Sequence, residues 1–192
     1  MSKDTSTTYV PRLKTQFKTS IVDDLKNELS LENVHQVPRL EKVVINVGLG
    51  RSKDDKRMFE VVRNTLRKIT GQQPVEVIAK KSIASFKIRA GMNTIGMKVT
   101  LRGDKMYEFI DRLTNIVLPR VRDFHGVNKK AFDPQGNYSL GLQEQSVFPE
   151  LNFEDISQLH GLQINFVINN SSPEKSRVLL EKFGILFEKE AK

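Results

Sequence analysis

The sequence predicts a single α+β domain, a largely antiparallel sheet with helices packed on one face and two loops protruding from it. Three observations carry this. Apolar residues recur at helical spacing in four stretches, β-branched or alternating runs lie between them, and the two kinds do not follow the regular strand–helix–strand cadence of a parallel sheet. With 192 residues, 38% of them hydrophobic, the chain is long enough for one ordinary core and does not require a second.

Residues 1–10 are polar, rich in Thr and Ser and without periodicity, so a flexible N-terminal tail is expected ahead of one domain over 11–192. From there Leu13, Phe17, Ile21, Leu25 and Leu29 recur every fourth residue, the stripe of an amphipathic helix. Pro38 breaks the pattern. Lys42 to Val47, KVVINV, then reads as a strand ending in a Gly48-Leu49-Gly50 turn. Ser52 followed by Asp55 resembles a capping box, Met58, Val62, Leu66 and Ile69 form the stripe of a second helix, and Gly71 is its natural stop.

Pro74 to Gly103 holds two strand-like runs separated by a basic loop. Its charge is lopsided, with Lys80, Lys81, Lys87, Arg89, Lys98 and Arg102 against Glu76. Over Met97 to Arg102 the strand period of two puts Met97, Val99 and Leu101 on one face and Lys98, Thr100 and Arg102 on the other. One face suits a core and the other presents donors.

A third helix follows, with Asp104 suited to capping and Met106, Phe109, Ile110, Leu113, Ile116 and Val117 expected to face the core. Pro119 interrupts or kinks it beside Arg120-Val121-Arg122. Phe124 to Asn137, punctuated by Gly126, Pro134 and Gly136, reads as a loop, and structureless connections beyond about 12 residues are often functional. Tyr138 to Leu142 alternates as a half-buried strand, and Leu162 to Ile168 is a last strand. Ser172 as N-cap, Pro173 at the first helical position and Gly184 past Phe183 bracket a final helix with Val178 and Leu179.

Catalytic and metal chemistry find no support. The sequence has no cysteine, so neither disulfides nor cysteine-ligated zinc are possible, and His35, His125 and His160 are isolated and expected on the surface or in loops. Phosphate-loop and nucleophile-elbow motifs are missing. Gly48-Leu49-Gly50 after a strand is the one enzyme-like signal, but Lys53 stands where a dinucleotide fingerprint needs its third glycine. A nucleotide-binding enzyme is therefore the alternative reading, and a non-enzyme without cofactor or metal the leading one. No run approaches the roughly 18 apolar residues of a membrane span, and the N-terminus lacks a signal-peptide pattern, so no membrane association and a cytoplasmic location are expected.

Lys plus Arg outnumber Asp plus Glu by 31 to 23, a net charge of +8, which favours nucleic acid as partner. Lysine and arginine supply affinity through phosphate contacts, while Asn46, Ser82 and Thr100 offer neutral bonds to phosphate or ribose oxygens. Aromatic residues make up only 7% and the strands lack an exposed aromatic pair for stacking bases, which points to a folded RNA that presents its backbone.

Six blocks in this chain match a known family in order. They are Pro38 to Gly50 (PRLEKVVINVGLG), Ile69 to Pro74 (ITGQQP), Ala79 to Arg89 (AKKSIASFKIR), Lys98 to Gly103 (KVTLRG), Met106 to Phe109 (MYEF) and Gly136 to Tyr138 (GNY). With them the chain resembles, from Leu13 onward, the bacterial-type large ribosomal subunit protein five family, which binds 5S rRNA. The resemblance implies a place in the central protuberance of the large subunit, with 5S rRNA, large-subunit rRNA and neighbouring central-protuberance proteins as partners. By motif position it implies rRNA contacts at Asn46, Gln72, Lys80, Lys81, Lys98, Thr100 and Arg102. It implies that the 82–96 loop, with Ser82, Phe86, Lys87, Arg89, Met92 and Asn93, reaches P-site tRNA. The 124–137 loop, with His125, Lys129, Lys130 and the preceding Arg122, is implied to bridge to a small-subunit head ribosomal protein. Two departures stand out. The segment between Gly91 and Gly96 is one residue longer than the family pattern, and His125 sits where the family often has arginine.

Overall fold

The computed structural model describes residues 9–50, 55–92, 94–156 and 158–188. Five strands form one antiparallel sheet in the order β2-β3-β1-β5-β4. They are β1 (Arg39–Gly48), β2 (Val75–Ile78), β3 (Thr94–Leu101), β4 (Tyr138–Leu142) and β5 (Leu162–Asn169). The β-branched run of β1 lies at the centre, pairing with β3 on one side and β5 on the other. Val43, Ile45 and Val47 of β1, Met97, Val99 and Leu101 of β3, and Leu162, Ile164 and Phe166 of β5 all point to one buried face. Each such side chain contributes about 1.5–3 kcal/mol by leaving water.

Among the described residues four helices cover that face and leave the other open. Helix α1 runs as Arg12–Gln16, a π turn over Phe17–Ile21, and Val22–Glu28. The π turn has a cause in the sequence. A stripe repeating every fourth residue drifts about 40° per repeat on an α-helix of 3.6 residues per turn, and the wider turn, closed by Val22 N–H to the Phe17 carbonyl, rotates it back. Phe17 then meets Tyr107 and Phe183 at ring-centroid distances of 6.2 and 5.7 Å, tying together three helices.

Helix α2 (Lys56–Thr70) is capped by Asp55, whose carboxylate accepts from the N–H groups of Arg57 and Met58 at 2.9 and 3.3 Å. The cap is therefore Asp55 itself; Ser52 lies outside the described residues, as do Lys53 and residues 1–8 of the expected tail. Gly71 ends the helix as expected, in the left-handed conformation at φ 62°.

Helix α3 (Asp104–Arg112) passes through a second π turn, Leu113–Val117, into Leu118–Arg120. Two expectations change here. The cap position is Gly103, while Asp104 sits in the first turn, where a carboxylate suits the helix dipole, and pairs with Lys14. Ile116, placed on the core face by an α-helical period, is 42% exposed, because the π turn inserts one residue and rotates it outward. The helix ends one residue past Pro119. Helix α4 (Pro173–Lys182) has Ser172 as its cap and Pro173 first, and buries Leu179 and Leu180.

Two tight spots make the packing testable. A side chain at Gly96 would bring its Cβ within 2.6 Å of the Val47 carbonyl oxygen, where the β1 and β3 backbones close on each other. Gly96→Ala is expected to cost about 1–3 kcal/mol, lowering the urea midpoint with little change in slope; an unchanged midpoint would contradict the pairing of Gly48 with Gly96.

The second spot is the neck of the loop between β4 and β5. Gln145 is fully buried and joins both ends of that loop. Its side-chain amide donates to the Gln158 carbonyl and its Oε1 accepts from His160 N–H, each at 2.7 Å, while its own N–H donates to the His160 carbonyl. Arg112 to Glu150 and Lys68 to Asp155 tether the loop to α3 and α2. His160, expected at the surface or in a loop, is in the loop but buried, and its Nε2 has no partner among the described residues. Burial holds its pKa below the ordinary histidine value, although a carbonyl contact from Gly161 opposes this. The unfolded chain then binds the extra proton first, so stability is full above about pH 6.5 and falls as pH drops through that value towards the lower folded pKa. His160→Gln is expected to flatten this part of the stability profile below about pH 6.5, as read by urea melts at each pH. An unchanged slope would overturn the assignment.

Candidate nucleic-acid interface

The face of the sheet turned away from the helices carries polar and basic side chains together with Val44, Val75 and Val167. Along β3 the outward residues are Lys98 and Thr100, exposed and half-buried, and Arg102 continues the same face just past the strand. Asn46 on β1 lies directly across from Lys98, and Val44 across from Thr100. Gln72, between α2 and β2, swings its amide against this row and donates to the Thr100 carbonyl at 3.2 Å. Its backbone N–H is held by Thr70 Oγ1 at 3.2 Å. Asn46, Gln72, Lys98 and Thr100 thus form one cluster. Lys80 and Lys81 follow the end of β2, near the opposite end of β3 from Arg102. At about 3.3 Å per residue β3 sets these groups over roughly 23 Å.

The electrostatics of this face follow from strand alternation. Glu76, the acid of the basic stretch, lies across from Met97 and so on the helix side, where Arg63 of α2 neutralises it and Thr94 Oγ1 donates to it at 3.2 Å. No acid pairs with Lys80, Lys81, Lys98 or Arg102 among the described residues. The outward face therefore carries uncompensated positive charge beside neutral donors.

The same face extends further than the residues singled out from the sequence. Gln163 lies across from Asn46, and Asn165 lies between Val44 and Ser139, whose hydroxyl donates to Asn165 Oδ1 at 2.8 Å. Their signal was the alternation in LQINFVIN, which carries no charge.

The loop between β2 and β3 is a folded arm. Ile83 and Ile88 exchange both backbone bonds at 2.9 and 3.1 Å, Ser82 Oγ accepts from Ala90 N–H at 2.9 Å, and Gly91 N–H donates to the Ala79 carbonyl at 2.9 Å. Ser82 thus has a structural task and keeps its hydroxyl proton to donate. Phe86 and Met92 are largely exposed, and Lys87 and Arg89 also lie at the arm's surface. Asn93 lies outside the described residues.

The 124–137 loop is pinned at several points. Val127 is buried and pairs with Phe187, Tyr138 donates its hydroxyl to the Asn128 carbonyl at 2.9 Å, and Asp133 accepts from Asn137 N–H at 2.6 Å. Burial raises the Tyr138 pKa well above the ordinary tyrosine value, which keeps it a neutral donor. Arg122, His125 and Lys130 are exposed and Lys129 half-buried. This set sits beyond β4, four strand spacings or about 19 Å from β2, and is not brought together with the sheet cluster or the arm.

At Gly48-Leu49 the chain is occupied with the sheet. Gly48 still pairs with Gly96, and the buried Leu49 donates its N–H to the Ile95 carbonyl at 2.8 Å, so that amide does not face a phosphate. No group of three or more His, Cys, Asp or Glu capable of holding a metal occurs among the described residues, and no helix among them is long and apolar enough to cross a membrane.

Comparison with known proteins matches two family models in succession. Residues 33–89 match ribosomal protein L5, and residues 94–187 match the C-terminus of the same ribosomal protein family. Among curated relatives, the large ribosomal subunit protein uL5 of Alkaliphilus oremlandii is 50% identical over 178 residues, covering 93% of this chain and 99% of the relative. The uL5 of a Synechococcus strain is 51% identical over 176 residues, covering 92% and 97%. That of Flavobacterium johnsoniae is 46% identical over 181 residues, covering 94% and 98%. Identity near one half across nearly the whole length of both chains, together with the two successive family matches, shows that the chain belongs to the bacterial-type ribosomal protein L5 family, uL5.

Proposed function

We propose that the chain is a non-catalytic constituent of the large ribosomal subunit that grips 5S rRNA with the outward face of its sheet. The observation that carries this is the arrangement of that face: Lys98 and Arg102 without acidic partners among the described residues, Asn46, Gln72 and Thr100 beside them, and Glu76 turned to the helices. Cations there release counterions from phosphate, and the neutral donors fix register on phosphate and ribose oxygens. Lys80 and Lys81 extend the grip towards the arm.

The arm, through Ser82, Phe86, Lys87, Arg89, Met92 and Asn93, is the element proposed to reach P-site tRNA. The 124–137 loop, with Arg122, His125, Lys129 and Lys130, is proposed to meet a small-subunit head protein across the subunit interface. Large-subunit rRNA and neighbouring central-protuberance proteins complete the partners, which places the protein in the cytoplasm, on the ribosome.

A salt titration of 5S rRNA binding tests the central part. Log affinity is expected to fall linearly with log salt, Lys98→Ala to reduce the slope by about 0.7–0.9, and Thr100→Ala to weaken binding while leaving the slope unchanged. A salt-independent affinity, or equal affinity for any RNA of the same length, would sink the reading.

A further inference from the structure

The sheet ends on β4, and that edge is open. Ser139 N–H donates to the Ala131 carbonyl at 3.1 Å, so it points away from β5. By the alternation of an antiparallel ladder, the Ser139 carbonyl, the N–H and C=O of Gly141 and the N–H of Gln143 point the same way. These four groups have no hydrogen-bond partner among the described residues. Facing them, the chain over 120–128 forms a second wall, and a cleft of about 590 Å³ lies between. The Tyr138 hydroxyl to Asn128 bond and the Ser139 to Ala131 bond close one end. Gln143 and Ser146 also line the cleft, and Val121, Val127 and Leu142 give it apolar surface.

The size and the free backbone groups fit an extended peptide, which would lie about 4.8 Å from β4 and bond to alternate residues. The charge selects its kind. In a chain of net charge +8, the cleft is lined by Asp123, Glu144 and Glu188 against Arg120 and Arg122, with His125 beside them, so with the histidine neutral its sign runs opposite to that of the molecule. Phosphate is disfavoured there and a basic peptide favoured.

We propose that the β4 edge takes up an extended segment of a basic partner protein as a sixth strand. Its backbone bonds to Ser139, Gly141 and Gln143, its inward side chains are apolar, and its basic side chains meet Glu144 and Glu188. The proposal rests on the protein-contact part of the function above and is independent of RNA binding by the sheet face.

Amide hydrogen exchange on the full chain tests it, with an alternating lysine–valine heptapeptide as probe and its glutamate–valine counterpart as control. At about ten times its dissociation constant the basic peptide is expected to slow exchange at Gly141 and Gln143 about tenfold, and the acidic peptide to leave it unchanged. Gly141→Pro removes one donor at an edge position that tolerates proline, and is expected to abolish protection at Gln143. The double variant Glu144→Lys, Glu188→Lys is expected to weaken the basic peptide at least about tenfold and, should the proline variant not fold, decides the matter alone. Absence of protection at these amides, equal protection by both peptides, or protection indifferent to the charge variant would overturn the proposal. 5S rRNA titrations of the same samples keep its failure distinct from failure of the RNA reading.

Discussion

Reversing two charges on the open face, Lys98→Glu with Arg102→Glu, is expected to weaken binding to 5S rRNA by about three orders of magnitude. An ion pair at 4 Å in water is worth about 1 kcal/mol, and reversal turns that attraction into a comparable repulsion, about 2 kcal/mol for each residue. Two residues give about 4 kcal/mol, and each 1.4 kcal/mol is about tenfold. Both side chains are exposed and neither pairs with an acid among the described residues, so the unfolding free energy of the variant is expected to stay within about 0.5 kcal/mol of the parent's. Filter binding at fixed salt with a parallel urea melt checks both halves. A loss of less than about tenfold would mean that the RNA lies elsewhere.

The largest effect on stability is expected at Phe166. It is fully buried at the middle of β5, between β1 and β4, with the Tyr138 ring 6.2 Å away. Phe166→Ala is expected to cost about 3–5 kcal/mol through lost burial and the cavity left behind. For a chain of this length that corresponds to a fall in Tm of roughly 6–20 °C. Phe166→Leu, which keeps most of the volume, is expected to lose less than half as much. Equal melting of the Ala variant and the parent would contradict the position of β5 in the core.

Much of this architecture was legible because local pattern and tertiary role agree. KVVINV became the central strand because β-branched residues suit a strand paired on both sides, and Met97 to Arg102 alternated because one of its faces is core. Gly71 and Ser172 marked helix ends for reasons confined to one turn of chain. Ile116 departs from the helical period because a π turn is set by how a whole stripe meets its neighbours, which a window of 3.6 periodicity does not register. The burial of Gln145 and His160 was hidden for a similar reason: a polar side chain enters the core only where a distant backbone completes its bonds, here residues 158 and 160.

The candidate interface divides in the same way. Lys98, Thr100 and Arg102 were assigned to one face by alternation alone, whereas Asn46 and Gln72 joined them through strand pairing and a bond to the Thr100 carbonyl. Gln163, Asn165 and Ser139 are not legible as site residues in the sequence, since neutral residues on a strand give no charge signal, although register sets them on the same surface.

On the proposed reading the open face of the sheet, and not the helical side, meets RNA. Lysine acetylation of the free chain and of its complex with 5S rRNA, read peptide by peptide, tests this most directly. Lys80, Lys81 and Lys98 are expected to be protected in the complex, with Lys18 and Lys26 on α1 and Lys182 at the end of α4 modified equally in both states. Protection of the α1 and α4 lysines with Lys98 left reactive would contradict it.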